Sequence, residues 1–283
     1  MTMVSPQTLA ASIGELPALP AVVLELMEAM GHDDFSVEDL SRKLSHDQAL
    51  TAKTLRLANS SFYGVPRKVV SIQEAISILG MRTVRSVVMA AGLVGGFKQE
   101  QCPAFDFNAF WRHSIGTGLC AKAIAAHVGL EEEMAFMVGL LHDIGHLALA
   151  VFCGPLIPLV QAHQAQHDCS LSEAEKAVLG TDHAFVGKCM TERWRFSPMI
   201  VETVATYHSP AELAVPNMVS VVHVADSMAH ALDLSGVEND MVLPLNLVVW
   251  ASLKLRDEQC LSIFKQVEDQ LDDLCRALLS PST

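Results

Sequence analysis

Apolar residues recur along this chain at intervals of three and four almost throughout, and no segment alternates apolar and polar positions for long enough to make a half-buried strand. The pattern predicts an all-α fold. Between Pro20 and Met30, the residues Val22, Val23, Leu26, Met27 and Met30 share one stripe, with the proline at the first helical position and Gly31 as the stop. SVED from Ser36 and SIQE from Ser71 each put a hydroxyl three residues before an acid, the spacing of a capping box, and the second helix should end at Gly80. Further helices are expected at about 108–127, from about Glu131, near 155–167, 172–179, 183–193, 198–207 and 216–234, and as one or two closing helices over 246–279. Ser197 reads as a cap, and Pro198 and Pro216 as first helical residues. The glutamates 131–133 suit a solvated, positive helix start, and Gly145 would end the helix that begins there.

The stretch GLVGGFKQEQCPAFDF (92–107) gathers glycine, proline and polar residues. It divides the chain into an N-terminal helical part, 12–105, and a larger helical part, 106–283, with a core expected in each. At 51% hydrophobic and 18% charged, the 283 residues suit a folded protein and argue against disorder. Seven cysteines without a CxxC pair are expected to be reduced thiols of a cytoplasmic protein. The first residues lack a basic segment followed by a long apolar run, and no run was expected to reach the length of a membrane span. A net charge of −13 opposes non-specific attraction to nucleic acid or anionic lipid. Residues 36–90 carry eight basic against four acidic side chains, and two short helices there meet at Ser45-His46-Asp47 with helix-turn-helix spacing. That bias is too small to outweigh the global acidity, so DNA is not the expected partner.

GLLHDIGHLAL (139–149) sets His142, Asp143 and His146 in an otherwise apolar run, where an unpaired charge is costly. On the helix at 108–127, His113 shares a stripe with Phe110, Thr117, Cys120 and Ile124; on that at 216–234, Asp226 and His230 share one with Val219, Val222 and His223. His183 follows a Thr181-Asp182 helix start, and His208 ends another helix. One buried histidine is unremarkable. Twelve histidines, several of them inward, are more economically explained by clustering around ions.

FWRHSIGTG, GLLHDIGHLAL, TDHAFVGKCM, VATYHSP and VVHVADSMAH follow in the order of the HD superfamily of metal-dependent phosphohydrolases. The whole span of about 12–235 resembles an HDOD domain: ELPALPAVVLELMEAM, LSHDQALTAKTLRLANSSFYG and VVSIQEAISILGMRTVRSVVMAAGL are similar to the N-terminal part of that bacterial signalling family. The resemblance implies that His113, His142, Asp143 and Asp226 bind one divalent ion and that His183 and His208 hold a second. Imidazole and carboxylate donors suit iron, manganese, zinc or nickel alike. The implied chemistry is phosphoester hydrolysis by water made nucleophilic near neutral pH, with Asp143 bridging or accepting a proton. Most members of the family are treated as regulatory modules that work through signalling protein partners. That role is expected first here, with active hydrolysis of a phosphoester or nucleotide as the alternative. Cyclic di-GMP hydrolysis is not expected, because the GYP motif of the relatives that perform it is replaced by TYHSP. Where those relatives have lysine after HDIG, this chain has His146, which could coordinate, contact phosphate or pack.

Overall fold

The computed structural model describes residues 20–28, 36–95, 102–103, 105–212, 215–237, 241–242 and 244–280, and every regular element among them is helical. The N-terminal part consists of α1 (Ala21–Glu28), α2 (Val37–Ser45), α3 (Gln48–Ala58), α4 (Ile72–Leu79) and α5 (Met81–Gly95). The second part continues with α6 (Phe107–Val128), α7 (Glu132–Leu141), α8 (Gly145–Cys153), a 3-10 turn at Gly154–Leu156, α9 (Ile157–His167) and α10 (Leu171–Leu179). It closes with α11 (His183–Arg193), α12 (Pro198–Thr206), α13 (Met218–Ala231), α14 (Leu247–Leu253) and α15 (Asp257–Leu279). Gly31, expected to stop α1, lies outside the described residues, as do residues 96–101 and 104 of the glycine-rich junction; α5 itself runs on to Gly95, into that junction.

Polar side chains set the helix starts. Ser36, Asp47, Ser71, Asp106 and Asp182 each accept a backbone N–H three residues on, at 2.9–3.1 Å, a contact worth about 1 kcal/mol apiece. The two expected capping boxes are not closed. Asp39 accepts the Ser36 hydroxyl, and Glu74 reaches one residue further back to the Val70 N–H. A full box forms instead at Ser170 and Glu173. Ser197 makes no side-chain cap bond. Pro216 precedes α13 instead of opening it, because Asn217 and Ser220 cap each other's backbone N–H at 2.8 Å. Gly80, Gly129 and Gly180 follow α4, α6 and α10 with positive φ, which glycine adopts at least cost.

Buried side chains join into one continuous cluster from Val22 to Leu278, where two cores were expected. The closing helix explains this: α15 lies on α3 and α5 as well as on α6. At the centre, α6 is enclosed by α7, α13 and α15, so every residue from His113 to Ala121 is buried, not a stripe alone.

The LANSSFYG segment ties the two parts together. Asn59 donates to the Leu55 and Val69 carbonyls and accepts the Val69 N–H, closing the loop after α3. Phe62 packs 5.9 Å from the Phe136 ring, and the Lys122 ammonium sits over the Phe62 and Tyr63 rings at 4.7 and 5.5 Å. Lys122 also pairs with Glu133, so this glutamate is largely buried, contrary to the solvated helix start expected of 131–133. One further expectation was too strong. The stretch Glu132–His167 contains a window long and apolar enough to cross a membrane, but 83% of that window is buried in the fold and a turn at 142–144 interrupts the helices.

Candidate metal centre

Glycines let the helices that carry the site approach closely. A Cβ on Gly139 would lie 2.7 Å from the Gly118 Cα, so α6 and α7 touch backbone to backbone and bring His113 beside His142. Gly145 does not end a helix, as its sequence position suggested; it opens α8. The bonds Ile144 N–H to Leu141 O and His146 N–H to Asp143 O, both 2.9 Å, span three residues and tighten the chain at 142–144. A Cβ on Gly145 would stand 2.0 Å from the His183 carbonyl oxygen, which explains the glycine: α8 and α11 cross there.

The structure brings all six expected ligand residues into one cluster. His113 Nε2 lies 3.0 Å from Asp226 Oδ1 and 3.3 Å from His142 Nε2, and His142 Nε2 lies 3.4 Å from Asp143 Oδ2. On the other side of Asp143, His183 Nε2 is 3.6 Å from Oδ1 and only 2.6 Å from His208 Nε2. Three sets of donor atoms lie within 4.8 Å of one another: His113, Asp226 and His230; His113, His142 and Asp143; and Asp143, His146 and His183. Asp143 belongs to two of them and joins the halves.

Hydrogen bonds at the far nitrogens fix how these rings face. The Gly139 carbonyl accepts at 2.6 Å from His142 Nδ1, which leaves the Nε2 lone pair toward the cluster. Glu175, buried on α10, accepts from His183 Nδ1 at 2.6 Å and takes the same part for His146 at 3.1 Å. Tyr207, also fully buried, donates its hydroxyl to Asp143 Oδ1.

Electrostatics follow from this crowding. Burial opposes the charge on Asp143 and Asp226, but the surrounding imidazoles override it and hold both carboxyls well below the usual range. Burial likewise opposes a proton on His183, yet the Glu175 carboxylate lifts it to about 9. His208 is pushed down to about 3 by burial and by His183. Facing nitrogens at 2.6 and 3.3 Å repel unless a proton or a cation lies between them, and nitrogen and carboxylate donors in this number fit a divalent transition ion.

The cluster forms part of the wall of a cavity of about 530 Å³. Asp143, His146, His183, His208, Asp226 and His230 line it together with polar residues of α9 and α10 and the link between them, among them Gln161, Gln164 and Ser172. Its described lining holds no lysine or arginine.

Glu175 and Tyr207 escaped the sequence reading, and His230 was placed on the inward stripe of Asp226 without being named as a ligand. Glu175 lies with Ser172 and Leu179 on the buried side of α10, so an acid on an apolar stripe marked it as surely as Asp226. His230 follows Asp226 by one turn, and its Nε2 lies 3.4 Å from Asp226 Oδ1. Tyr207 carried no signal beyond preceding His208. His223, on the same stripe as Asp226, takes no part: its nitrogens meet the Tyr207 carbonyl at 2.9 Å and the Asn246 N–H at 3.1 Å.

The chain is 24% identical over 204 residues to an uncharacterized protein of Treponema pallidum (strain Nichols), a match covering 71% of this chain and 39% of that protein, so it spans about two fifths of the relative's length. A crystal structure of an HDOD domain protein with unknown function from Geobacter sulfurreducens is 25% identical and superposes with a TM-score of 0.77 over 96% of both chains. One named "Putative phosphohydrolase", from Shewanella amazonensis SB2B, is 27% identical with a TM-score of 0.69, covering 92% of this chain and 97% of that one. The family model of the HDOD domain matches residues 16–210, well over half of the sequence, and the chain belongs to the HDOD family.

Proposed function

We propose that this protein is a metal-dependent phosphohydrolase acting on a phosphoester or nucleotide. His113, His142, Asp143 and Asp226 would hold one divalent ion, and Asp143, His183 and His208 a second. The observation that carries the reading is the open cavity against the cluster: a catalytic centre needs one side free for water and substrate, which a closed structural site does not provide. When bound, such ions neutralise phosphate charge and activate water near neutral pH. The cavity wall adds to the argument. With amides, a hydroxyl, imidazoles and carboxylates but no lysine or arginine among its described residues, it gives bound ions the main part in holding an anionic substrate. Tyr207 pins Asp143 Oδ1 through its hydroxyl, while Asp143 Oδ2 faces His113, His142 and His146 at 3.4–3.9 Å; Asp143 would be the ligand common to both ions. The structural relative named "Putative phosphohydrolase" supports the same reaction class. Iron, manganese, zinc and nickel all suit the donors.

A second reading, a module that passes a signal through protein partners, is favoured by apolar side chains left in solvent around α14: Leu247 is 74% exposed, Val242 51% and Val248 47%. One assay separates the two. Phosphomonoesters, phosphodiesters and nucleotides, offered with manganese, iron or nickel, should be hydrolysed by the wild type and not by Asp143→Ala. No turnover above background with any ion would leave the signalling module as the better account.

A further inference from the structure

His146 directly follows the HDIG stretch, and its ring is built into the cluster. Its ring stacks on that of His183, with centroids 3.8 Å apart and planes 23° apart. One buried carboxylate serves both rings: Glu175 Oε1 lies 3.1 Å from His146 Nδ1, and Oε2 lies 2.6 Å from His183 Nδ1. Oε2 also accepts the His183 backbone N–H at 2.9 Å, which fixes the carboxylate in place. An ionised carboxylate accepts hydrogen bonds and cannot donate, so each Nδ1 carries a proton and Nε2 is the nitrogen that each ring turns away from Glu175, where an ion can replace a proton. Those nitrogens lie beside Asp143, with His146 Nε2 at 3.7 Å from Oδ2 and His183 Nε2 at 3.6 Å from Oδ1.

Two other roles for His146 fit less well. A ring that only fills space needs no shared carboxylate, and a phosphate at Nε2 would stand against the Asp143 carboxylate 3.7 Å away, a place that favours a cation. Resting on the reading of this cluster as a metal centre, we propose that His146 is itself a ligand of the second ion. The set becomes three imidazoles and one carboxylate, from His146, His183, His208 and Asp143, with Glu175 as the positioning residue for two of the rings. Carboxylate on Nδ1–H is the arrangement that fixes the tautomer of metal-binding histidines and raises their basicity. A site so rich in nitrogen selects nickel, zinc, cobalt or ferrous iron over magnesium or calcium.

The test titrates cobalt(II) into the chelator-treated full chain, reading bound metal by equilibrium dialysis and the second site by its visible spectrum. Wild type should bind two ions. His146→Ala should keep the first ion at unchanged affinity, bind the second at least about tenfold more weakly, and shift its spectrum. His146→Lys preserves bulk and is charged at neutral pH, so it should show the same loss even if the alanine variant folds poorly. Glu175→Gln should weaken the second ion without touching the first, and circular dichroism of the metal-free variants separates loss of ion from loss of fold. Two ions at equal affinity and with an unchanged spectrum in the His146 variants would overturn this proposal and leave the metal centre standing. A wild type that binds a single ion would overturn it as well, and one that binds none would overturn the metal reading together with it.

Discussion

His223 and Asp226 share a buried stripe of α13, and their surroundings assign them different tasks. Backbone groups satisfy both nitrogens of His223, whereas Asp226 Oδ1 sits 3.0–3.4 Å from His113, His142 and His230. Asp226→Asn should therefore abolish binding of the first ion. His223→Gln should leave metal content intact and cost about 1–3 kcal/mol, the range for a buried hydrogen bond left unmade. The cost should depend on pH. Burial lowers the His223 pKa from its ordinary 6.5, so the fold favours the neutral ring; that stability is present above pH 6.5 and fades as pH falls toward the lowered value. Denaturant unfolding of the two proteins at pH 8 and pH 5 checks this, and a gap that widens in acid would refute it. Sequence pattern identified Asp226 and His113 because a polar residue interrupted an apolar stripe. Glu175 obeyed the same rule but belonged to no motif, and Tyr207 was silent because a buried tyrosine looks like any other aromatic core residue.

Helix boundaries were legible at Asp182, Pro198 and Gly80, where a cap, a proline or a glycine acts locally. They misled at Gly145, whose glycine serves another helix. A C-terminal stop and a crossing point look the same in a sequence, since both demand a missing Cβ; here the partner is the His183 carbonyl, far along the chain. The difference is measurable. Gly145→Ala places a methyl against rigid backbone and should cost about 1–3 kcal/mol, the range for overpacking, while driving α8 from α11 and weakening the second ion. Gly129→Ala, at a helix end with φ 76° and nothing within 4 Å of the added methyl, should cost about 1 kcal/mol in left-handed strain and leave metal binding as it was. Equal metal affinity in the two variants, read by cobalt titration, would show that the crossing does not set the site.

On the scale of the molecule, the proposed ligands all belong to the second part, on α6, α8, α11 and α13 and in the turns that follow α7 and α12. The N-terminal part is joined to it by the shared core under α15 and by Phe62 and Tyr63 against Lys122. An ion that binds only the folded state stabilises it by about 2.7 kcal/mol when free metal exceeds the dissociation constant a hundredfold. Because the core is continuous, that gain should be felt by both parts. Calorimetry should show one unfolding peak that moves upward with metal concentration and falls after chelation. Lys122→Met removes the ammonium from over the two rings and leaves Glu133 without that partner, so it should loosen the junction while leaving every ligand in place. In that variant the metal-dependent peak should separate from a lower one that metal does not move. Two peaks already present in the wild type would mean that the parts fold independently and that the division near residue 105 is a true domain boundary.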